Sequence, residues 1–353
     1  MLWLATLWLA AARPSLCADL TITVPVFVIS DRKPILSLQD VLAGEDQVLG
    51  RQSLVICPVK VPFKVKAAER DALGILDDVG GEAGSGRFGK LKSRLVNKLG
   101  TEPPAQDDLL KPTLLGQQLF ENNLGDFLAL SKAGQRPDIA IFVHGCCVSQ
   151  LEALQDAARL SLMLDRPVIA FDWATLSTSQ YATLPEYNVY RKSERSLEIS
   201  QVNFNHLLES IHKFFPQARL TLVGHSMGNR VILEYLLQHR LPADREAIDA
   251  VHLVRSDSGL QAFLAQRESI IGGINRFYIY YAGNDNWLKL SNGLSSTSPR
   301  LGAPEKLSPL LSQDLDSAPN LHVVDISSLK LGHGIPFKLI AEFEKSPAIA
   351  PAD

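Results

Sequence analysis

Residues 219–228, Arg-Leu-Thr-Leu-Val-Gly-His-Ser-Met-Gly, decide the fold. Arg219 to Val223 is a short apolar run of strand type, and it leads without a break into Gly224, His225, Ser226, Met227 and Gly228. Asn229 to His239 then follows with helical character. A serine flanked by glycines two residues either side, between a strand and a helix, belongs to a sharp turn that lifts the hydroxyl above the end of a sheet. The glycines are wanted because neighbouring backbone crowds the turn. A glycine-rich turn with a bystander serine has the same letters, so the context along the chain matters more than the match itself.

That context is an alternation of strands and helices. Apolar runs at Asp138 to Val143, Pro167 to Asp172, Ile248 to Val254, Arg276 to Tyr281 and Leu321 to Ile326 lack polar alternation, as parallel strands buried on both faces do. Between them, Ser149 and Glu152 form a capping box at the start of a helix whose Leu151, Leu154, Ala158 and Leu162 share a face. Residues 189–214 carry another apolar stripe through Leu197, Phe204, Leu207, Leu208 and Ile211. The pattern predicts an α/β fold with a mostly parallel sheet and helices on both faces. Two further strands, Thr21 to Ile29 and Ser53 to Val61, contain Pro25 and Pro58 and are expected as antiparallel strands at a sheet edge, because proline cannot donate to a ladder.

With His225 to Arg230 reading HSMGNR, and His144-Gly145 upstream, the chain resembles the α/β-hydrolase superfamily. More narrowly it is similar to a bacterial hydrolase group of unknown function, from about Val26 to about Phe337. The resemblance implies the α/β-hydrolase fold and a triad in the order serine, acid, histidine, with Ser226 as nucleophile. Three histidines follow the helix after the serine. His252 and His322 lie inside strands, whereas His333, between Gly332 and Gly334 after the last strand, is free to reach the nucleophile and is the expected base. The acid is Asp285 or Asp257, both at strand ends. The resembling group carries its acid in a stretch like Asn284 to Leu288, which favours Asp285 and leaves Asp257 as the alternative. Either carboxylate would otherwise form a turn or cap a helix.

Two backbone amides must bind the oxyanion. Met227 supplies one by position, and the loop His144, Gly145, Cys146 supplies the other through Cys146. Here the chain departs from its look-alikes, which carry an aromatic and an asparagine where it has Cys146 and Cys147. Adjacent cysteines suit a single tetrahedral metal badly, and no second cluster of cysteines exists. Cys57 could pair with one of them, or the two could form a vicinal disulfide. The chemistry needs no cofactor and no metal. Substrate contacts are expected from Trp173 to Tyr190, with Tyr181, Tyr187 and Tyr190, and from Trp287 to Asn320, as a lid or as ordinary surface loops.

Composition removes other classes. The 353 residues carry a formal charge of −3, with 46% hydrophobic and 21% charged side chains. That excludes a general nucleic-acid binder, which needs a strong basic excess, and a disordered chain. Met1 to Ala12 holds Thr6 as its single polar side chain and is too short to span a bilayer. It reads as part of a signal peptide over residues 1–18, so the protein is expected to be exported, periplasmic or secreted.

The remaining divisions are N-terminal strands over 19–73, an insertion over 74–113, a catalytic core over 114–342 and a disordered tail over 343–353. The insertion is rich in glycine: 74–100 holds seven of the chain's 23 glycines. Gly84, Gly86 and Gly89 match GxGxxG, but no strand precedes them, and Leu91 replaces the magnesium-binding residue of a P-loop. Arg87, Lys90, Lys92, Arg94 and Lys98, with Leu91, Leu95 and Leu99 on one helical face, suit weak contact with a membrane surface or a solvated face.

The sequence thus predicts a serine hydrolase acting on a carboxylic ester or another acyl substrate. A catalytically idle binding or scaffold protein at a membrane surface is the alternative from another class, and an acyltransferase or thioesterase shares the same triad. Labelling of Ser226 by a fluorophosphonate separates enzyme from scaffold.

Overall fold

The apolar runs do form strands, and all of them join one sheet. The structure, a computed structural model, describes residues 18–30, 54–65, 138–166, 168–175, 186–239, 248–294, 299–303 and 318–345. The strands are β1 (Ala18–Ser30), β2 (Leu54–Val65), β3 (Asp138–Val143), β4 (Val168–Asp172), β5 (Arg219–His225), β6 (Ile248–Val254), β7 (Arg276–Tyr281) and β8 (Leu321–Asp325). Their order across the sheet is β2-β1-β4-β3-β5-β6-β7-β8. The helices are α1 (Gln150–Leu164), α2 (Glu186–Phe214), α3 (Gly228–Gln238), α4 (Leu260–Ile271), α5 (Asn286–Leu294) and α6 (Phe337–Lys345), with a 3-10 turn at Ser327–Leu329.

Seven of these strands run parallel, because β1 joins β4 in parallel through Phe27 to Ser30. Only β2 runs antiparallel, against β1. The expectation of two antiparallel strands is therefore corrected for β1, which lies inside the sheet and not at its edge. Pro25 permits this: it stands opposite Pro58 of β2, before the stretch that pairs with β4, so its missing N–H interrupts no bond to β4.

Successive side chains of the parallel strands divide between two cores, as period two demands. Ile139, Ile141 and Val143 of β3 pack on one face with Phe204 and Leu207 of α2, Val231 and Ile232 of α3 and Phe263 of α4. Ala140 and Phe142 pack on the other with Leu154 and Ala158 of α1 and Ile340 of α6. The sheet is covered on both faces. α1 starts at the predicted capping box, with the Ser149 side chain accepting from the Glu152 amide. α6 runs past residue 342, where the core was expected to end, because Phe343 fills the second core.

From β3 the chain crosses to β4 on one side, and from β5 onward it builds towards β8 on the other. The adjacent carboxyl ends of β3 and β5 are therefore the switch point at which an open α/β sheet offers a crevice. The expected signal segment, the insertion with its basic residues 87–98 and the end of the tail lie outside the described residues. Among the described residues no helix is long and apolar enough to cross a membrane.

Candidate active site

Ser226 follows β5 at φ 51°, left-handed backbone for a residue that is not glycine. Such a conformation persists only where its surroundings over-determine it. Here the Ser226 N–H donates to the Val254 carbonyl of β6 at 3.0 Å, and the Ser226 carbonyl accepts from the amides of Asn229 (3.2 Å) and Asp257 (3.1 Å). The fully buried Asn229 side chain adds bonds from Nδ2 to both the Ser226 and Val254 carbonyls, each 3.0 Å. The flanking glycines are needed for close approach. A Cβ on Gly228 would stand 2.2 Å from the His144 carbonyl oxygen, and one on Gly224 would stand 2.4 Å from Asn229 Oδ1. The turn is thus pressed between the end of β3 and its own helix.

His333 lies in the loop after β8, and its Nδ1 donates to Asp285 Oδ2 at 2.7 Å. Asp285 follows β7, is fully buried, and also accepts from the Leu288 amide at 3.1 Å and from Arg255 Nη1 at 2.9 Å. Burial pushes its carboxyl up, but the bonds from His333, Leu288 and Arg255 outweigh this and hold it below the usual carboxylate range. Two further bonds grip the loop that carries His333. Arg255 Nε donates to the Gly334 carbonyl at 2.9 Å. His225 Nε2 donates to the His333 carbonyl at 2.8 Å. Burial, reinforced by the nearby His333, depresses the pKa of His225 to about 3, so its ring is neutral and its Nε2 carries the proton for that bond.

Asp257 serves elsewhere. It accepts from Tyr190 Oη (2.7 Å), from Arg230 Nη2 (2.9 Å) and from the Ser291 hydroxyl, and Arg300 Nε lies 3.0 Å away. His333 meets Asp285 and not Asp257. Of the other two histidines, His252 is fully buried in β6, donates from Nε2 to Glu344 at 3.0 Å and accepts from Tyr280 Oη at 2.9 Å. Its burial lowers its pKa, which keeps it neutral. His322 stacks on Tyr278. Both are parts of strands, away from the serine.

Ser226 and His333 open onto one cavity of about 150 Å³, lined also by Cys146, Cys147, Tyr190, Asp257, Trp287, Leu288, Leu290 and Ser291. Of the three tyrosines expected at the substrate, Tyr190 reaches this cavity, whereas Tyr181 and the side chain of Tyr187 lie outside the described residues. Met227 caps α3 with no side-chain cap hydrogen bond, directly after Ser226 and at the positive end of the helix. Across the cavity the loop after β3 is anchored twice from the segment after β4. Trp173 Nε1 donates to the His144 carbonyl at 2.6 Å, and the Cys147 amide donates to Thr175 Oγ1 at 2.9 Å. Cys146 and Cys147 form a disulfide with each other. That settles the pairing left open by sequence, and Cys57 lies on β2, opposite Val26 of β1.

Sequence reasoning missed the partners of the three central residues. Arg255 carried a signal: a cation directly after a buried strand must find a buried acid. His225 and Asn229 carried none beyond their place in the motif.

Comparison with curated proteins finds no relative. Among solved structures, the chain is similar to one described as the crystal structure of DphMB1, at 15% identity and a TM-score of 0.36 over 60% of this chain and 76% of that one. It is also similar to MenH from S. aureus, at 12% identity and a TM-score of 0.33 over 61% and 94%. The family model for an alpha/beta hydrolase of unknown function, DUF900, matches residues 118–350, and the chain belongs to that family.

Proposed function

We propose that the protein is a serine hydrolase that cleaves a carboxylic ester through an acyl-enzyme. The observation that carries this reading is the 2.7 Å bond between His333 Nδ1 and Asp285, in the loop whose histidine shares a cavity with Ser226. In this mechanism Ser226 Oγ attacks the ester carbonyl while Nε2 of His333 takes its proton. Asp285 fixes the tautomer that leaves Nε2 free to accept, and its charge stabilises the imidazolium that forms. The amides of Met227 and Cys146 receive the oxyanion, assisted by the positive end of the α3 dipole. His333 then protonates the leaving alkoxide, and a water activated by the same ring releases the acid and restores Ser226.

Export through residues 1–18 is part of the proposal. The Cys146–Cys147 disulfide is compatible with an oxidising compartment, where such bonds persist. The test is steady-state hydrolysis of p-nitrophenyl butyrate by the wild type and by Ser226→Ala. Turnover by the wild type that falls by about 10³-fold or more in the variant is expected. Equal rates for both proteins would contradict the proposal.

A further inference from the structure

Cys146 and Cys147 are half-buried and face the cavity that holds Ser226 and His333. Their disulfide closes a small ring through the peptide unit that joins them. We propose that this vicinal disulfide braces the oxyanion amide of Cys146 and exchanges reversibly with dithiols, so that the reduced protein is a poor catalyst; the proposal rests on the reading of Ser226 as nucleophile.

Three observations carry it. First, the loop is anchored on either side of Cys146, at the His144 carbonyl by Trp173 and at the Cys147 amide by Thr175, and the disulfide closes on the same Cys146–Cys147 peptide unit whose N–H makes the second anchor. Second, Cys147 has φ 67°, a left-handed conformation that a residue with a Cβ adopts at a cost. The ring and the Thr175 bond together oppose that cost, and opening the ring leaves the hydrogen bond to oppose it alone. Third, the position is sensitive to small movement. A Cβ on Gly145 would lie 2.9 Å from Ser226 Cβ, so this backbone runs directly against the nucleophile. An oxyanion donor works only while it is preorganised, and a loop free to relax at Cys147 loses that property.

The exchange itself is balanced. A thiolate of the dithiol attacks one sulfur of the pair and forms a mixed disulfide. The second thiol of the reductant then attacks that bond, and both cysteines leave as thiols after protonation. Two electrons and two protons pass to the pair, and the dithiol is oxidised to a cyclic disulfide. An oxidised dithiol of higher potential reverses the sequence. Both cysteines line the cavity and are half-buried, so a small dithiol can reach the pair in the folded protein.

The test compares air-oxidised wild type, the same protein after dithiothreitol, and the double variant Cys146→Ser/Cys147→Ser. Readouts are ester hydrolysis, fluorophosphonate labelling of Ser226, peptide mass for the state of the pair and circular dichroism for folding. Reduction is expected to lower kcat by at least about tenfold, towards the 10²-fold scale of a lost oxyanion donor, with KM changing less than about threefold. Reoxidation restores the rate. The double variant starts at the low rate, remains folded and ignores dithiothreitol. Free thiols at both positions in the air-oxidised protein, or an unchanged kcat after proven reduction, overturn the proposal, as does a loss of rate that tracks unfolding. A wild type that no fluorophosphonate labels in either state overturns the hydrolase reading, and this proposal with it.

Discussion

The ring of His225 donates to the backbone carbonyl of His333 at 2.8 Å, so the residue just before the candidate nucleophile holds the loop of the candidate base. The ring of His333 remains available for Asp285 and Ser226. With Arg255 donating to the next carbonyl, that of Gly334, two successive peptide units of the loop are pinned from beneath. His225→Phe keeps the ring's bulk and loses the bond. We expect kcat to fall by about 10- to 100-fold with little change in KM, the size of effect that a small misplacement of a catalytic group produces. His225→Gln, whose amide N–H can reach the same carbonyl, recovers most of the rate. Ester kinetics on the two variants check this.

Two carboxylates stand near the serine, and substitution separates their roles. Asp285→Asn removes the group that fixes the His333 tautomer, and kcat falls by about 10³- to 10⁴-fold. Asp257→Asn strips the shared partner from Arg230 and Arg300, so it costs about 3 kcal/mol of stability while kcat stays within about tenfold. Urea midpoints measured beside kcat distinguish the two outcomes.

Acid weakens the fold through its buried histidines, against one opposing carboxyl: burial raises Asp156 to about 6, so it takes up a proton in the folded state over the same range and offsets part of the loss. The pKa of His225 is depressed to about 3 in the folded state, while in the unfolded chain it returns to about 6.5. As pH falls from 7 to 5, the unfolded state binds a proton that the folded state refuses, so stability drops, by about 2 kcal/mol for this group. His252 shifts in the same direction and adds to the effect. Below about pH 4.5, Asp285 and Glu344, both held below their usual range in the folded state, extend the loss. Urea midpoints at pH 5 and 7 measure the slope, which is shallower in His225→Gln whatever its absolute stability.

A cavity of about 150 Å³ accommodates a group about the size of benzene. Of its lining residues, Tyr190 and Ser291 both donate to Asp257. The walls offered to a substrate are therefore largely apolar, and short unbranched acyl groups are expected to fit. In a p-nitrophenyl ester panel, kcat/KM is highest for chains of about two to six carbons and at least about tenfold lower for dodecanoate.

The strands from β3 to β7 were legible because each is a short, largely buried apolar run, β8 because it continues that alternation as a partly exposed strand at the end of the sheet, and the Ser226 turn because its glycines are forced by contacts as close as 2.2 Å. Asp285 and His333 were expected from the residue order of the resembling superfamily, together with the loop position of His333 between Gly332 and Gly334 and the group's stretch like Asn284 to Leu288. Nothing local distinguishes Asp285 from Asp257; the difference lies in which cations the fold delivers, Arg255 to one and Arg230 with Arg300 to the other. The parallel placement of β1 was not legible, since Pro25 argues for an edge until its partner, Pro58, is known. His225 and Asn229 act through bonds to backbone carbonyls, and such bonds leave no pattern in side-chain spacing.

The most direct test of the central claim is the site of covalent capture, read by peptide mass after treating the folded protein with a fluorophosphonate. A single adduct on Ser226, lost in Ser226→Ala and slowed in His333→Ala, is the predicted result. An unmodified Ser226 in the folded wild type, or an adduct that persists in Ser226→Ala, would contradict it.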